Sequence, residues 1–511
     1  MQFFKLFFIF SAIHVLINCD DIPCPTSTII SNGVWPSSQV SLPSNYNCNL
    51  KFNIPNGFIM KFNTSATYEN SRDDPIYIYG AQTRYRVPTD KSVFYIPASE
   101  ATLAVAVKIS AVSFFVSFEY VDVRNYHQIH KKTGEYIVLN FPTTSFVTFT
   151  SQEDRTALVS NSWADLSAIP HFTYIYDGSD LSSNCLGTLA NFSRSYIHQD
   201  AVLGKTFSIA NFYGNYDQDA PMYVLANDLR RISMYTRYDL IVINEQNFVS
   251  ISTDLSLSDK SNAYTIICHA CDTSYIESLT LNNTDDYWSI QFFPMSPTYN
   301  SQALLIFKYN TYIDDIFPYQ IPTTMFTIVV KNANIVMPIN PGLESQWLTP
   351  LAGRRIIINS RTIWDPTASP ALSFWFNSTY DYNFTLTGFS LTIASPDENM
   401  SFLVGMTGAA KNFSQIIQCD NSEETCVQTS NTPITATGSF CSLTYSGTNT
   451  GSLVDAVIHV TDVYQTSTAT VPVSTSTKST RPTTQHVETS TKSGSRIFCL
   501  VGIIGSLLLT V

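Results

Sequence analysis

Hydrophobic and polar positions alternate with a period of two in several parts of the chain. Phe114, Val116, Phe118 and Tyr120 alternate with Ser113, Phe115, Ser117 and Glu119, the pattern of a strand with one face buried. Just before them, Leu103, Val105 and Val107 alternate with Thr102, Ala104 and Ala106, so the two runs are expected to be neighbouring strands. Shorter alternations recur at Phe207–Ile209, Leu372–Phe376 and Leu391–Ile393. Turn signals separate them, among them Asn56-Gly57, Asp177-Gly178 and Pro341-Gly342. Helical periodicity is scarce; its best stretch, Tyr223 to Ile232, reads equally as a strand and a turn. Short strands with frequent turns predict an all-β chain of tandem antiparallel β-sandwiches.

Composition agrees with that class and narrows the function. Of 511 residues, 13% are charged and 13% aromatic, against roughly 25% charged in an ordinary soluble protein. Aromatic and β-branched side chains suit a pleated, half-buried surface. With 44% hydrophobic residues the chain can bury a real core, which excludes disorder for most of its length. The net charge of -12 argues against a nucleic-acid partner.

Both ends predict an extracellular destination. Residues 1–19 (MQFFKLFFIFSAIHVLINC) place Lys5 before an apolar run from Leu6 to Ile17, the layout of a signal peptide cleaved after Cys19. Residues 463–493 are expected to be a disordered Ser/Thr-rich stalk, interrupted by Pro472 and Pro482 and suited to O-glycosylation. Residues 494–511 end in the apolar run Ile497–Val511, preceded by Ser493, Gly494 and Ser495. Small residues before a terminal apolar tail point to a glycosylphosphatidylinositol anchor on Ser493, although only Arg496 stands where about 8–12 polar residues are usual. The expected location is the outer face of the plasma membrane, or alternatively the extracellular medium. These ends argue against a cytosolic enzyme.

Cysteines and sequons fit the same compartment. Outside the processed ends stand Cys24, Cys48, Cys185, Cys268, Cys271, Cys419, Cys426 and Cys441, an even number that argues for disulfides. Proximity makes Cys24 with Cys48 one candidate pair. The Cys268-His-Ala-Cys271 motif, in a secreted chain with no second such motif, favours a structural disulfide over a redox or metal site. Seven sequons predict glycosylation at Asn63, Asn191, Asn282, Asn377, Asn383, Asn399 and Asn412. The last four crowd together, which predicts a glycan-covered stretch.

No motif for a catalytic triad, zinc hydrolase, nucleotide loop or dinucleotide fold occurs. His127 and His130 stand near Lys131 and Lys132, where a solvated basic turn is expected rather than a metal pair. No catalytic residue, cofactor or metal is therefore expected, and the chain reads as a non-enzyme.

One segment carries a family resemblance. Cys24, Trp35-Pro36, Tyr46-Asn47-Cys48 and Pro55-Asn56-Gly57-Phe58, continued by the run from Phe94 to Val123, resemble the nematode family of CUB-like extracellular domains. The resemblance implies a compact β-sandwich over residues 20–123 with a Cys24–Cys48 bridge. A second echo at Tyr174, Tyr176, Asp177-Gly178 and Leu186-Gly187 suggests a CUB-related sandwich over 124–250. Calcium-binding CUB domains use an acidic ligand near Asp177, but Glu153 and Asp154 lack the family's spacing, so a metal-free turn is expected. A β-rich unit over 251–335 and a glycosylated one over 336–462 are expected to follow. The family's association with defence implies a cell-surface recognition or effector protein in the innate immune response to bacteria. The alternative is a structural coat or adhesion glycoprotein. An extracellular protein or glycan is the implied partner, with Trp35, Tyr46 and Tyr176 as candidate contact aromatics.

Overall fold

The computed structural model describes residues 22–462, except 69–74, 81–82, 109–111, 162–168, 193–201, 215–220, 245–248, 254–260, 300–301, 310–315, 343–354, 360, 366–371, 395–400, 408–411, 417–424, 431–433 and 447–452. The expected leader, stalk and anchor signal, with Ser493, Asn399 and Cys419, lie outside the described residues.

The first sandwich is built from Gly33–Leu42 (β1), Asn47–Asn53 (β2), Phe58–Tyr68 (β3), Ile76–Tyr79 (β4), Arg84–Arg86 (β5), Asp90–Ile96 (β6), Glu100–Ala106 (β7) and Val112–Asp122 (β8). Two antiparallel sheets, ordered β1-β8-β3-β6 and β2-β7-β4-β5, enclose one core. Alternation sends Leu50, Phe52, Ile78, Leu103 and Val105 inward from one sheet, against Met60, Phe62, Phe114 and Val116 from the other. The runs around Leu103 and Phe114 are therefore not neighbours in one sheet, as expected from their proximity. They belong to opposite sheets and meet across the core, because the short connection after Ala106 changes sheet. A Cys24–Cys48 disulfide, Cα–Cα 5.5 Å, ties the N-terminal segment to β2. Closing a loop of this length stabilises a fold by about 3 kcal/mol.

The next strands are His127–Lys132 (β9), Tyr136–Val138 (β10), Ser145–Thr150 (β11), Thr156–Ser160 (β12), Thr173–Asp177 (β13), Asn184–Thr188 (β14), Val202–Leu203 (β15), Thr206–Asn211 (β16) and Tyr223–Asp228 (β17). They make sheets ordered β14-β13-β16-β11-β9 and β10-β17-β12-β15, with Val147, Phe149, Ile175, Phe207, Leu158 and Val224 between them. The ambiguous stretch from Tyr223 is a strand that ends in one helical turn, Leu229–Ile232.

A fifth sheet, eight-stranded, uses Tyr235–Ile243 (β18), Val249–Ser252 (β19), Ser261–Cys268 (β20), Ser274–Ile276 (β21), Thr280–Pro294 (β22), Leu305–Lys308 (β23), Tyr319–Ile321 (β24) and Met325–Pro341 (β25). Strands β18 and β19 lie largely before residue 251 yet pair with β20 and β25, and β25 runs through position 336. Two pairs, β9 with β11 and β18 with β20, are parallel within this otherwise antiparallel architecture. A seven-stranded sheet follows between Arg355 and Asp462.

Shared apolar clusters join the first three assemblies. Ile59 and Val123 pack with Phe146, Tyr174, Tyr176, Leu181 and Phe212. Ala157, Val159, Tyr223 and Leu225 pack with Tyr238, Ala263, Ile267, Phe293 and Val329.

Candidate functional site

Alternation that buries one face of β2, β7 and β4 leaves the other side to be dressed by the intervening residues. Strand β2 presents Asn47, Asn49, Lys51 and Asn53, all exposed. Beside it, β7 presents Glu100, Thr102, Ala104 and Ala106. Tyr77 and Tyr79 project from β4, and Arg84 and Arg86 from the edge strand β5. The register aligns these into cross-strand rows, Arg86–Tyr77–Ala104–Asn49 and Arg84–Tyr79–Thr102–Lys51. Directly opposed side chains are close enough to act together.

The relief follows from side-chain size. Thr102, Ala104 and Ala106 are short, so β7 forms the floor of a trough. Rows of tyrosines and arginines flank β7 on one side and amides with Lys51 on the other; of these rows Tyr79, Thr102, Glu100, Lys51 and the β2 asparagines line the concavities beside them, and Tyr77, Arg84, Arg86 and Ala104 do not. Concavities of about 700 Å³ and about 400 Å³ adjoin this face and share Lys51. Thr28, Asn53, Tyr79, Glu100 and Thr102 line the larger one, together with Ile30, which is 74% exposed. The Arg84 guanidinium lies 3.8 Å from the Tyr77 ring centroid and 5.7 Å from that of Tyr79. Stacking fixes the plane of the guanidinium and leaves its in-plane N–H donors for a ligand. Neither Arg84 nor Arg86 forms an ion pair among the described residues. Among the described residues the face thus carries three cations against one carboxylate, on a chain of net charge -12.

The candidate contact aromatics Trp35, Tyr46 and Tyr176 take the commoner of the two roles open to large rings and are structural. Trp35 is 6% exposed, and its indole N–H donates to the Pro23 carbonyl at 3.1 Å. Tyr46 is half-buried; its hydroxyl donates to the Ile22 carbonyl at 3.0 Å, and burial raises its phenol pKa. Tyr176 is 2% exposed, with a buried hydroxyl lacking a hydrogen-bond partner. Large rings on alternating strands are claimed first by the core. The functional face shows in the sequence as the off-phase tyrosines of Ile76-Tyr77-Ile78-Tyr79, whose isoleucines are buried.

Other candidates fall elsewhere. Asp177 is exposed at the end of β13, before Gly178 in a positive-φ conformation. Among the described residues no three His, Cys, Asp or Glu side chains converge as metal ligands. His127 and His130 are exposed on edge strand β9 rather than in a turn, and their odd spacing sends them to opposite faces. Cys268 and Cys271 form a local disulfide. Cys185 is a free thiol, and burial of its sulfur pushes the pKa up to about 12.

Asn63 lies on β3, in the sheet opposite the trough, and its amide donates to the Ser117 hydroxyl at 3.2 Å. Asn191 and Asn282 are exposed. The Asn383 side chain accepts from the Thr437 hydroxyl at 2.6 Å, while Asn377 and Asn412 belong to strands of the seven-stranded sheet.

Two antiparallel sheets stapled near the N-terminus and enclosing one core define a disulfide-bonded β-sandwich domain. Residues 18–124 match the CUB-like domain family, so the chain contains a CUB-like domain. No curated protein matches the chain. Among solved structures, the CUB1-EGF-CUB2 domains of rat MASP-1 are similar at 10% identity and a TM-score of 0.18, covering 61% of this chain and 100% of that one. The full extracellular region of zebrafish Gpr126/Adgrg6 aligns at 9% identity and a TM-score of 0.17, over 85% of this chain and 56% of that one. Superpositions this loose carry no argument about the site.

Proposed function

We propose that the protein is a non-enzymatic recognition or effector protein on the outer surface of the cell, acting in innate defence against bacteria. The observation that carries this reading is the trough on the outer face of the first sandwich, where aromatic, amide and cationic side chains converge above short residues. Such a surface holds an extracellular glycan or protein ligand by stacking and multiple hydrogen bonds, and nothing in that action requires a reacting group.

The remaining features support the setting. The leader over 1–19, the CUB-like domain and the seven sequons suit a secreted glycoprotein. The stalk and apolar tail suit lipid anchorage at Ser493. Glycans on Asn63, Asn191 and Asn282 would leave the trough open, since Asn63 faces away from it and the others belong to later assemblies. Glycans on the group at Asn377, Asn383, Asn399 and Asn412 would cover the stretch of chain that precedes the stalk.

The test has two arms. Phosphatidylinositol-specific phospholipase should release the protein from intact cells; retention after complete digestion excludes the lipid anchor. The released ectodomain should bind bacterial cells saturably, and Tyr79→Ala should weaken that binding at least tenfold. Binding that is absent, with circular dichroism intact, would instead favour a coat glycoprotein.

A further inference from the structure

We infer that the trough takes an acidic polysaccharide, with Arg84 and Arg86 engaging the carboxylates or phosphates of a chain lying along β7. This rests on the reading of the trough as a ligand site and adds the chemical class of the ligand.

Charge is the first argument. Among the described residues, Lys51, Arg84 and Arg86 flank the floor and Glu100 is the carboxylate beside them. In a chain of net charge -12, a local cationic face works against the protein's general repulsion of anions, so it selects an anion by position. Arginine suits this because its planar fork matches a carboxylate or phosphate in two-point geometry. The Tyr77 ring already holds the Arg84 fork 3.8 Å away, which reduces the ordering cost of a further hydrogen bond.

Surface chemistry is the second argument, and it separates a sugar chain from a protein. A protein partner normally seats large apolar anchors in a desolvated patch. Here the floor is Thr102, Ala104 and Ala106, and the far wall is Asn47, Asn49, Lys51 and Asn53. Ile30 is the strongly exposed aliphatic residue on the lining. Amide and hydroxyl groups in rows suit the repeated hydroxyls of a polysaccharide, and the Tyr79 ring offers an aromatic flank for a sugar.

The matched probes are polygalacturonate and its fully methyl-esterified form, which share a backbone and differ in charge. The glycosylated ectodomain should bind polygalacturonate saturably and the ester at least tenfold more weakly. Raising salt from about 50 to about 300 mM should weaken the acidic probe and leave the ester unchanged, since screening acts on the ionic contacts alone. Arg84→Gln with Arg86→Gln should abolish the preference for the acid. Ala104→Leu, which fills the floor without changing charge, should weaken both probes. Lys131→Gln with Lys132→Gln, on β9, should leave binding intact and so exclude general polyanion attraction. Equal affinity for acid and ester would overturn the charge assignment while leaving the trough as the site. Bacterial binding that depends on Tyr79 without binding of either probe would overturn the polysaccharide assignment and point to a protein ligand. Bacterial binding indifferent to Tyr79, Arg84 and Arg86 would overturn both this inference and the proposed site.

Discussion

At the scale of single residues, the distinguishing chemistry is the set of tyrosines buried between the first and second sandwiches. The Tyr174 hydroxyl donates to the Tyr95 carbonyl at 2.6 Å and meets the Tyr85 hydroxyl at 2.7 Å. The Tyr95 N–H donates to the Tyr213 hydroxyl at 2.9 Å. Tyr174→Phe would leave the Tyr95 carbonyl and the Tyr85 hydroxyl without this partner, which should cost about 1–3 kcal/mol in denaturant unfolding. Desolvation raises the pKa of Tyr85, Tyr174 and Tyr176. An unfolded tyrosine ionises near pH 10 whereas these remain neutral. Their contribution is therefore whole below about pH 10 and lost as pH rises through the higher folded values. Alkaline unfolding should steepen above that pH, and Tyr174→Phe should lessen the slope. Cys185 makes a parallel case. With its pKa pushed up to about 12 by desolvation, the thiol should resist a disulfide reagent at pH 8 and react once the chain is denatured. Fast labelling of the native protein would contradict this burial.

At the scale of elements, strand β7 tests how alternation divides structure from binding. Leu103 is fully buried, while Ala104, one residue on, faces the trough. Leu103→Ala should destabilise the first sandwich by about 2–5 kcal/mol through lost burial and a cavity. Ala104→Ser should change stability by no more than about 0.5 kcal/mol. Comparable losses at both positions, read from thermal unfolding, would show that the strand is not one-sided. The same alternation made β7 and β8 legible as strands but misplaced them as neighbours. Side-chain period reports which residues face inward, whereas the hydrogen-bonding neighbour depends on where the intervening chain crosses. It also explains why Trp35, Tyr46 and Tyr176 were poor candidates for ligand contact. An aromatic in phase with a strand's apolar face is core, and one out of phase, as Tyr77 and Tyr79 are, is available.

At the scale of the whole molecule, the first two sandwiches share a buried cluster. Ile59 is 1% and Val123 1% exposed because Phe146, Leu181 and Phe212 cover them. Ile59→Asp should therefore lower the unfolding temperature of both sandwiches together, since burying an unpaired carboxylate is costly on either side of the contact. In calorimetry of the whole glycosylated ectodomain the two sandwiches should melt in one joint transition that the variant lowers; a variant that moves one transition and leaves a second in place would mean that the sandwiches unfold independently. Tyr223, Tyr238 and Ile267 continue such contact into the eight-stranded sheet, and β18 joins that sheet from before residue 251. Sequence punctuation marks turns well but does not reveal which sheet a strand joins, because that pairing is made with residues far along the chain.

Local patterning alone determined the strand-rich class, the inward-facing residues of the first sandwich and the proximity that nominated Cys24 with Cys48. It could do so because period-two alternation and short loops act within a few residues. Tertiary structure decided the sheet order, the fate of each aromatic and the trough itself. Lys51, Tyr79, Arg84 and Thr102 are far apart in the chain, and only the antiparallel register of β2, β7, β4 and β5 aligns them in one row.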